Sequence, residues 1–235
     1  MCNFQKYTKM DYLVFLFLLS KIQHRDEFGN LTVRFNDSIQ ITADEFATLF
    51  SIDISNSYKA LRLAITSLQT KLIQFRDLFD TDTQYTLITK SSFYKTGRAV
   101  INFNPEILHH IANLANNFTQ YKIANIAKLD TLPAIRLFEL LIQFKKSGVM
   151  FDTLENVKFS LSKDTITEYK IFKRDVLKPA IEELNTKHKQ LNVVLVEHKE
   201  NKQVARLEFT FTPTATKTRQ TVITTPNQNQ ELDLK

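Results

Sequence analysis

The sequence predicts an α+β protein built as two tandem winged-helix domains. Three observations carry that prediction: a helix-turn-helix pattern followed by two alternating strands occurs twice, the two occurrences share residues at matching positions, and the basic surplus lies in the second.

At 235 residues the chain has room for one large domain or two ordinary ones, and 43% hydrophobic with 24% charged residues is a globular mixture. A net charge of +6 favours polyanionic partners. Residues 1–120 carry 12 basic and 11 acidic side chains, residues 121–212 carry 16 and 12, and the remainder 3 and 2, so the second half is the basic half. The single Cys2 excludes an intramolecular disulfide and a zinc cluster of cysteines, as in a reducing compartment. The longest apolar stretch, Tyr12 to Leu19, is far short of the ~20 residues of a membrane span and is bracketed by Asp11 and Lys21. With no basic start or small-residue cleavage site, the expectation is a cytoplasmic protein without a membrane partner.

The first periodic segment, Met10 to Gln23, is apolar around most of its circumference and reads as a helix buried between other elements. After the Gly29-Asn30 turn, Leu31–Phe35 and Ser38–Ile41 read as short strands. Thr42 and Glu45 then have capping-box spacing, so a helix opens near Ala43 and buries Phe46, Ala47 and Phe50. Beyond Ser51–Ser55, the residues Tyr58, Leu61, Ile65, Leu68 and Leu72 form an amphipathic stripe. Gln84–Tyr94 and Ala99–Phe103 alternate around Thr96-Gly97, and this hairpin is the predicted wing.

The second half repeats the order. Pro133 stands at a helix start, Ala134–Lys146 carries Leu137, Phe138, Leu141, Ile142 and Phe144, and Ser147-Gly148 closes it. Asp152–Phe159 reads as a short helix. A stripe at Tyr169, Phe172, Val176, Ala180, Ile181 and Leu184 follows, then strands over Leu191–Glu197 and Val204–Phe211 around the turn Lys199–Lys202. Pro179 implies either a kink at Lys178 or a helix ending there with a second one after it.

Three matches between the halves point to duplication. Tyr58-Lys59-Ala60-Leu61-Arg62 and Tyr169-Lys170-Ile171-Phe172-Lys173 share tyrosine, lysine, any residue, apolar, basic. Seven residues past each tyrosine stands Ile65 or Val176, and each hairpin ends in Phe103-Asn104-Pro105 or Phe211-Thr212-Pro213. The apolar members would seat each second helix on its core and leave the basic ones outside, where a major groove accepts a helix between phosphate walls. In the second unit Lys170, Arg174 and Lys178 recur every four residues with Lys173 beside them, and Lys199, Lys202 and Arg206 lie on the hairpin. In the first unit only Lys59 and Arg62 stand out. A lysine stripe alone is more often a solvated face than an interface, and the basic hairpin is what tilts the balance towards DNA.

Catalysis finds little support. His109-His110 lacks the nearby tyrosine and flanking apolar residue of a metal-dependent nicking site. Three glycines provide no phosphate-cradling loop. Glu182-Glu183 and the pair Asp77 and Asp80 read as exposed acids. No catalytic residue, metal or cofactor is assigned, and the expectation is a protein that is not an enzyme.

Phe118-Thr119-Gln120-Tyr121, the helix containing Arg136-Leu137-Phe138-Glu139-Leu140-Leu141, and above all Phe172-Lys173-Arg174-Asp175-Val176-Leu177-Lys178-Pro179-Ala180-Ile181-Glu182-Glu183-Leu184-Asn185 resemble the initiator proteins of iteron-containing plasmids, the Rep_3 (RepA/RepE-like) group. The likeness extends more loosely from about residue 10 to about 212. It implies plasmid replication initiation through double-stranded DNA: residues 118–212 recognise iterons, with Lys173, Arg174 and Lys178 as carried-over contacts. Residues 1–117 would mediate dimerisation and backbone contacts, with dimers repressing their own operator and monomers opening the origin. The host replicative helicase and host initiator are the implied partners. One departure is the first helix, which lacks the polar and basic residues usual in that group and follows a short start; the expectation is a truncated N-terminus or an altered dimer surface. The tail 213–235, rich in Thr, Asn and Gln, is expected to be disordered.

The alternatives are a winged-helix repressor acting only at a promoter, and a winged-helix module that binds protein. Footprinting separates them. Directly repeated sites of ~20 base pairs, about two helical turns each, are expected of an initiator, and a single inverted repeat of a repressor. No protection would leave only the protein-binding module.

Overall fold

Helix α1 (Lys9–Ile22) is apolar on every side and therefore has to be covered on every side. In the computed structural model, which describes residues 2–4, 6–22, 24–25, 31–32, 38–76, 82–107 and 125–212, every residue from Asp11 to Leu19 is buried. Gly29-Asn30, Asp77 and Asp80, His109-His110, Phe118–Tyr121 and the tail 213–235 lie outside the described residues. Helix α1 opens on a reciprocal cap: the Asp11 carboxylate accepts from the Thr8 amide (2.7 Å) and hydroxyl (2.6 Å), and the Thr8 hydroxyl accepts from the Asp11 amide (3.2 Å). Lys71 Nζ completes the site 2.7 Å from Asp11. Burial opposes ionisation of Asp11, but the bonds from Lys71 and Thr8 prevail and hold its carboxyl below the ordinary range.

Around α1 stands the first winged helix. Strand β1 is Cys2–Phe4, the short pair β2 (His24–Arg25) and β3 (Leu31–Thr32) follows α1, and β4 spans Ile39–Thr42. Helix α2 (Ala43–Phe50) starts on the predicted capping box between Thr42 and Glu45, buries Ala43, Phe46, Ala47 and Phe50, and ends at Ser51 in the left-handed region with φ 52°. Helix α3 (Ile54–Leu68) is the second of the pair. Strands β7 (Ile88–Phe93) and β8 (Arg98–Phe103) form the wing, turning at Gly97 with φ +79°, and β8 lies between β4 and β7. A side chain at Gly97 would be strained in that conformation.

Leu72 is not part of the helical stripe. The helix ends at Leu68 in a turn, and β5 (Leu72–Arg76) pairs with β1 and with β6 (Asp82–Thr86). An apolar run that passes from helix to strand keeps its hydrophobicity while changing its period, so the stripe appears longer than the helix. Likewise, Gln84–Tyr94 is not one strand. It breaks at buried Leu87, where the chain crosses from the β1-β5-β6 sheet to the β4-β8-β7 sheet.

The second unit repeats the order of the winged helix, without a counterpart of the β1-β5-β6 sheet among the described residues. Helix α4 (Leu132–Gln143) is capped by Thr131, with Pro133 in its first turn. Strand β9 (Val149–Thr153) leads to α5 (Leu154–Ser160), and then come α6 (Tyr169–Phe172), a π-helical turn (Lys173–Leu177) and α7 (Lys178–Lys187). Strands β10 (Val194–Glu200) and β11 (Gln203–Thr210) form the wing, with β11 central between β10 and β9. That arrangement matches β8 between β7 and β4. Strand β9 has no counterpart among the sequence expectations, because Val149-Met150-Phe151 carries too little alternation to announce a strand. The second wing is also displaced: Leu191 is buried in the loop before β10 rather than in the strand.

The two units meet at a buried polar junction. Arg136 is 7% exposed; its Nε donates to Ser160 O at 3.0 Å, and its Nη1 donates to the Tyr12 hydroxyl (2.8 Å) and to Glu139 Oε2 (2.7 Å). The Tyr12 hydroxyl donates to the same Glu139 oxygen at 2.6 Å, and the guanidinium lies 4.8 Å from the centre of the Phe4 ring. Strand β1 adds two bonds to the second unit, Phe4 N to Ser162 Oγ (2.9 Å) and Asn3 Nδ2 to Asp164 Oδ1 (2.8 Å). One continuous apolar cluster runs through both units.

A buried ion left without its partner costs about 3–5 kcal/mol, so Arg136→Ala is expected to lower stability by that order, with a loss of about 1 kcal/mol for Tyr12→Phe. Urea unfolding followed by two probes, one in each unit, checks this. Coincident transitions in the wild type that separate in Arg136→Ala are the expected result. Asp11 supplies a pH dependence. Its folded pKa lies below its ordinary 3.8, so the stabilisation is complete above about 3.8 and is lost as the pH falls through the folded value. Asp11→Asn is therefore expected to flatten the stability profile below pH 4, measured by acid titration of the unfolding midpoint.

Candidate nucleic-acid interface

The second unit's helix pair presents a face set by one extra residue. In α3, buried Leu61 is followed by exposed Arg62 and Leu63 and then by buried Ala64 and Ile65. In the second unit, buried Phe172 is followed by exposed Lys173, Arg174 and Asp175 and then by buried Val176 and Leu177. The π turn accommodates the additional residue: the Lys178 amide bonds to Lys173 O, five residues back. It also resolves the position of Pro179. The backbone stays in the right-handed helical region through Lys178, and Pro179, which has no amide proton to give, follows directly on the π turn. The helix widens there and does not break.

The predicted site residues fall into two groups. Lys170, Lys173, Arg174 and Lys178 are all exposed along the α6 to α7 face, and Lys199, Lys202 and Arg206 are exposed on the neighbouring wing. The wing tip is the two-residue turn Asn201-Lys202 with φ 50° and 67°, the twist that closes a tight hairpin. Lys59 and Arg62 are exposed on α3 of the other unit and form a separate face.

Several of these cations already have partners. Lys173 Nζ is 2.5 Å from Glu197 Oε1 on β10, and the Tyr169 hydroxyl donates to the same oxygen at 2.7 Å. The bond from Lys173 holds the Glu197 carboxyl below its ordinary range despite partial burial, while burial and Glu197 together push Tyr169 up. Arg174 is bonded to Asp175 through both carboxylate oxygens. Lys178 lies 3.8 Å from Glu182 in an exposed pair of little energetic weight. Arg206 sits 4.0 Å from Glu200 and 5.3 Å from the Phe151 ring centre.

The repeated tyrosine has a structural reason that the sequence match does not supply. Tyr58 donates from α3 to Tyr94 O at the wing (3.0 Å), as Tyr169 donates to Glu197. Arg62 lies 5.1 Å from the centre of Phe93 on β7, as Lys173 meets Glu197 on β10. In both units the tyrosine and the basic residue four positions on brace the helix against its own hairpin. The matched apolar residues are core: Leu61, Phe172, Ile65, Val176, Phe103 and Phe211 are all buried, while the matched Lys59 and Lys170 are exposed. Asp175 and Glu197, absent from the sequence-derived site, had no signal there beyond being acids.

Residues 3–142 match the family model "Initiator Replication protein, WH1", and residues 153–211 match "Initiator Rep protein, WH2". The chain belongs to the initiator replication protein family. Two Escherichia coli relatives share sequence with this initiator. An uncharacterized 27.6 kDa protein is 26% identical over 167 residues, covering 69% of this chain and 70% of the relative. A replication initiation protein is 22% identical over 156 residues, covering 63% of this chain and 49% of the relative, so the chain spans about half of that protein's length.

Among solved structures, the Pi initiator protein in complex with iteron DNA aligns with a TM-score of 0.57 and 20% identity, over 89% of this chain and 96% of that one. Domains 2 and 3 of RctB align with a TM-score of 0.52 and 11% identity, over 90% and 85%. At these identities the likeness shows the fold, two winged helices in tandem. The family is one of DNA-binding initiators and is not known for catalysis. Among the described residues no helix is long and apolar enough to cross a membrane.

Proposed function

We propose that this initiator starts plasmid replication by binding iteron repeats in double-stranded DNA, with the face of Lys170, Lys173, Arg174 and Lys178 in the major groove and the wing residues Lys199, Lys202 and Arg206 on adjoining phosphates. The observation that carries the reading is the exposed cationic run on the α6 to α7 helix, beside a hairpin with a basic tip, in a chain of the initiator family. A helix fits the major groove, and cations along its outer face meet the phosphate walls.

Lys59 and Arg62 of the first unit contact the backbone, residues 1–117 assemble the dimer that represses the initiator's own operator, and residues 118–212 recognise each iteron. The monomer opens the origin for the host initiator and the replicative helicase, and the protein acts by binding rather than catalysis. The likeness to a protein solved with iteron DNA supports this reading, as does the winged-helix order that the two units share.

Gel-shift titration of the full-length protein on duplexes carrying direct repeats tests it. Lys170→Ala and Lys178→Ala are expected to weaken binding to all sequences alike and to reduce the salt slope by about one each, as loss of a phosphate contact does. Arg174→Ala is expected to relax preference at a single base pair by roughly 5- to 150-fold. Unchanged affinity in all three variants would remove this face from the interface.

A further inference from the structure

A carboxylate is out of keeping with the face just described, because a side chain offered to phosphate walls meets like charge if it is acidic. Yet the residue added to the exposed run is Asp175 itself, which is 47% exposed beside Arg174. Consecutive residues on an α-helix do not normally face one another. Here they meet within the widened turn: Arg174 Nε donates to Asp175 Oδ1 at 2.6 Å and Nη2 donates to Oδ2 at 2.7 Å. The carboxylate grips one side of the guanidinium. Nη1 and the outer N–H of Nη2 bond to no other described residue, and the Arg174 side chain is 69% exposed.

Those free N–H groups form a parallel pair on the outward edge of a planar cation. Guanine offers two acceptors, O6 and N7, on its major-groove edge, and arginine meets them with such a pair. A phosphate can take such a pair as well, but it also accepts single bonds from many directions and so demands less of the arginine's orientation. A brace that lowers the net charge of the face therefore favours phosphate binding less than it favours a base edge. It does fix the plane and direction of the guanidinium before encounter, which is what a base edge rewards. The first unit lacks this device: its exposed pair is Arg62 and Leu63, and Arg62 lies against Phe93.

We propose that Asp175 is a positioning residue that holds Arg174 to read a guanine in the major groove, and so determines sequence specificity at that base pair. The proposal rests on the DNA-binding reading above and adds to it a base and a second residue.

The test uses the full-length protein, a duplex selected by the wild type from a randomised pool, and a non-cognate duplex of equal length. Arg174→Ala is expected to lose preference for guanine at one position by roughly 5- to 150-fold. Asp175→Ala is expected to lose a comparable share at that same position while its binding to the non-cognate duplex stays level or tightens. The double variant should be no worse there than Arg174→Ala alone. Replacing that guanine by 7-deazaguanine, which removes the N7 acceptor, should weaken the wild type and leave both single variants unaffected.

The proposal is overturned if Asp175→Ala keeps the guanine preference, if it alters a different base pair, as an aspartate reading cytosine itself would, or if it weakens cognate and non-cognate binding equally. Thermal unfolding controls for the fold, and Asp175→Asn, which preserves the side chain's size, takes its place should the alanine variant unfold. Failure of the underlying DNA reading is distinguishable, because the wild type would then enrich no sequence and Lys170→Ala and Lys178→Ala would leave the salt slope unchanged.

Discussion

The architecture depends on how Arg136 is satisfied. A guanidinium removed from water is tolerable only if its charge and its donors are all answered, and here the answers come from different parts of the chain. Glu139 on the same helix provides the charge, Ser160 O at the end of α5 provides an acceptor, and Tyr12 of α1 provides another from the first unit. Phe4 closes the site from β1. Tyr12 thus ties the apolar helix α1 to the second unit, and β1 packs against α5 beside it. The two units therefore present their outer faces from a common core rather than from independent domains on a linker.

The cationic face is shaped by the same core contacts. Phe172, Val176, Leu177, Ala180 and Leu184 seat the α6 to α7 helix, and the π turn lets these anchors keep their places while one additional residue is exposed. Pro179 follows directly on that turn, where the Lys178 amide already reaches back five residues to Lys173 O. The braces from Tyr169 and Lys173 to Glu197 then tie helix to wing, so the cations of the two elements form one surface. The cost is that some cations arrive already paired. Lys173 has to share Glu197 with Tyr169, and Arg174 is oriented by its acidic neighbour rather than left free.

Much of this was legible in the residues. The capping box at Thr42 and Glu45, the Pro133 start of α4, the burial of Tyr12–Leu19 and the duplicated tyrosine motif are local or periodic, and local rules suffice to read them. Where the reading failed, the deciding contact was remote. Leu72 continues the helical spacing, but β5 is made a strand by its pairing with β6, where Leu72 faces Thr86, and with β1 some seventy residues earlier; the break at Leu87 reflects a change of sheet, which no alternation pattern encodes. Strand β9 was invisible because its pairing with β11 makes it a strand.

The sequence by itself determined the two winged helices, their order, the basic character of the second, and which lysines and arginines stand outside each core, because hydrophobic period and charge are written residue by residue. Only the tertiary structure decided that Arg136 and Tyr12 join the units, that one extra residue is exposed at the π turn, and that Asp175 and Glu197 orient the cations beside them. These depend on directional bonds between groups brought together by folding, and hydrogen-bond geometry leaves no periodic trace in a chain of letters.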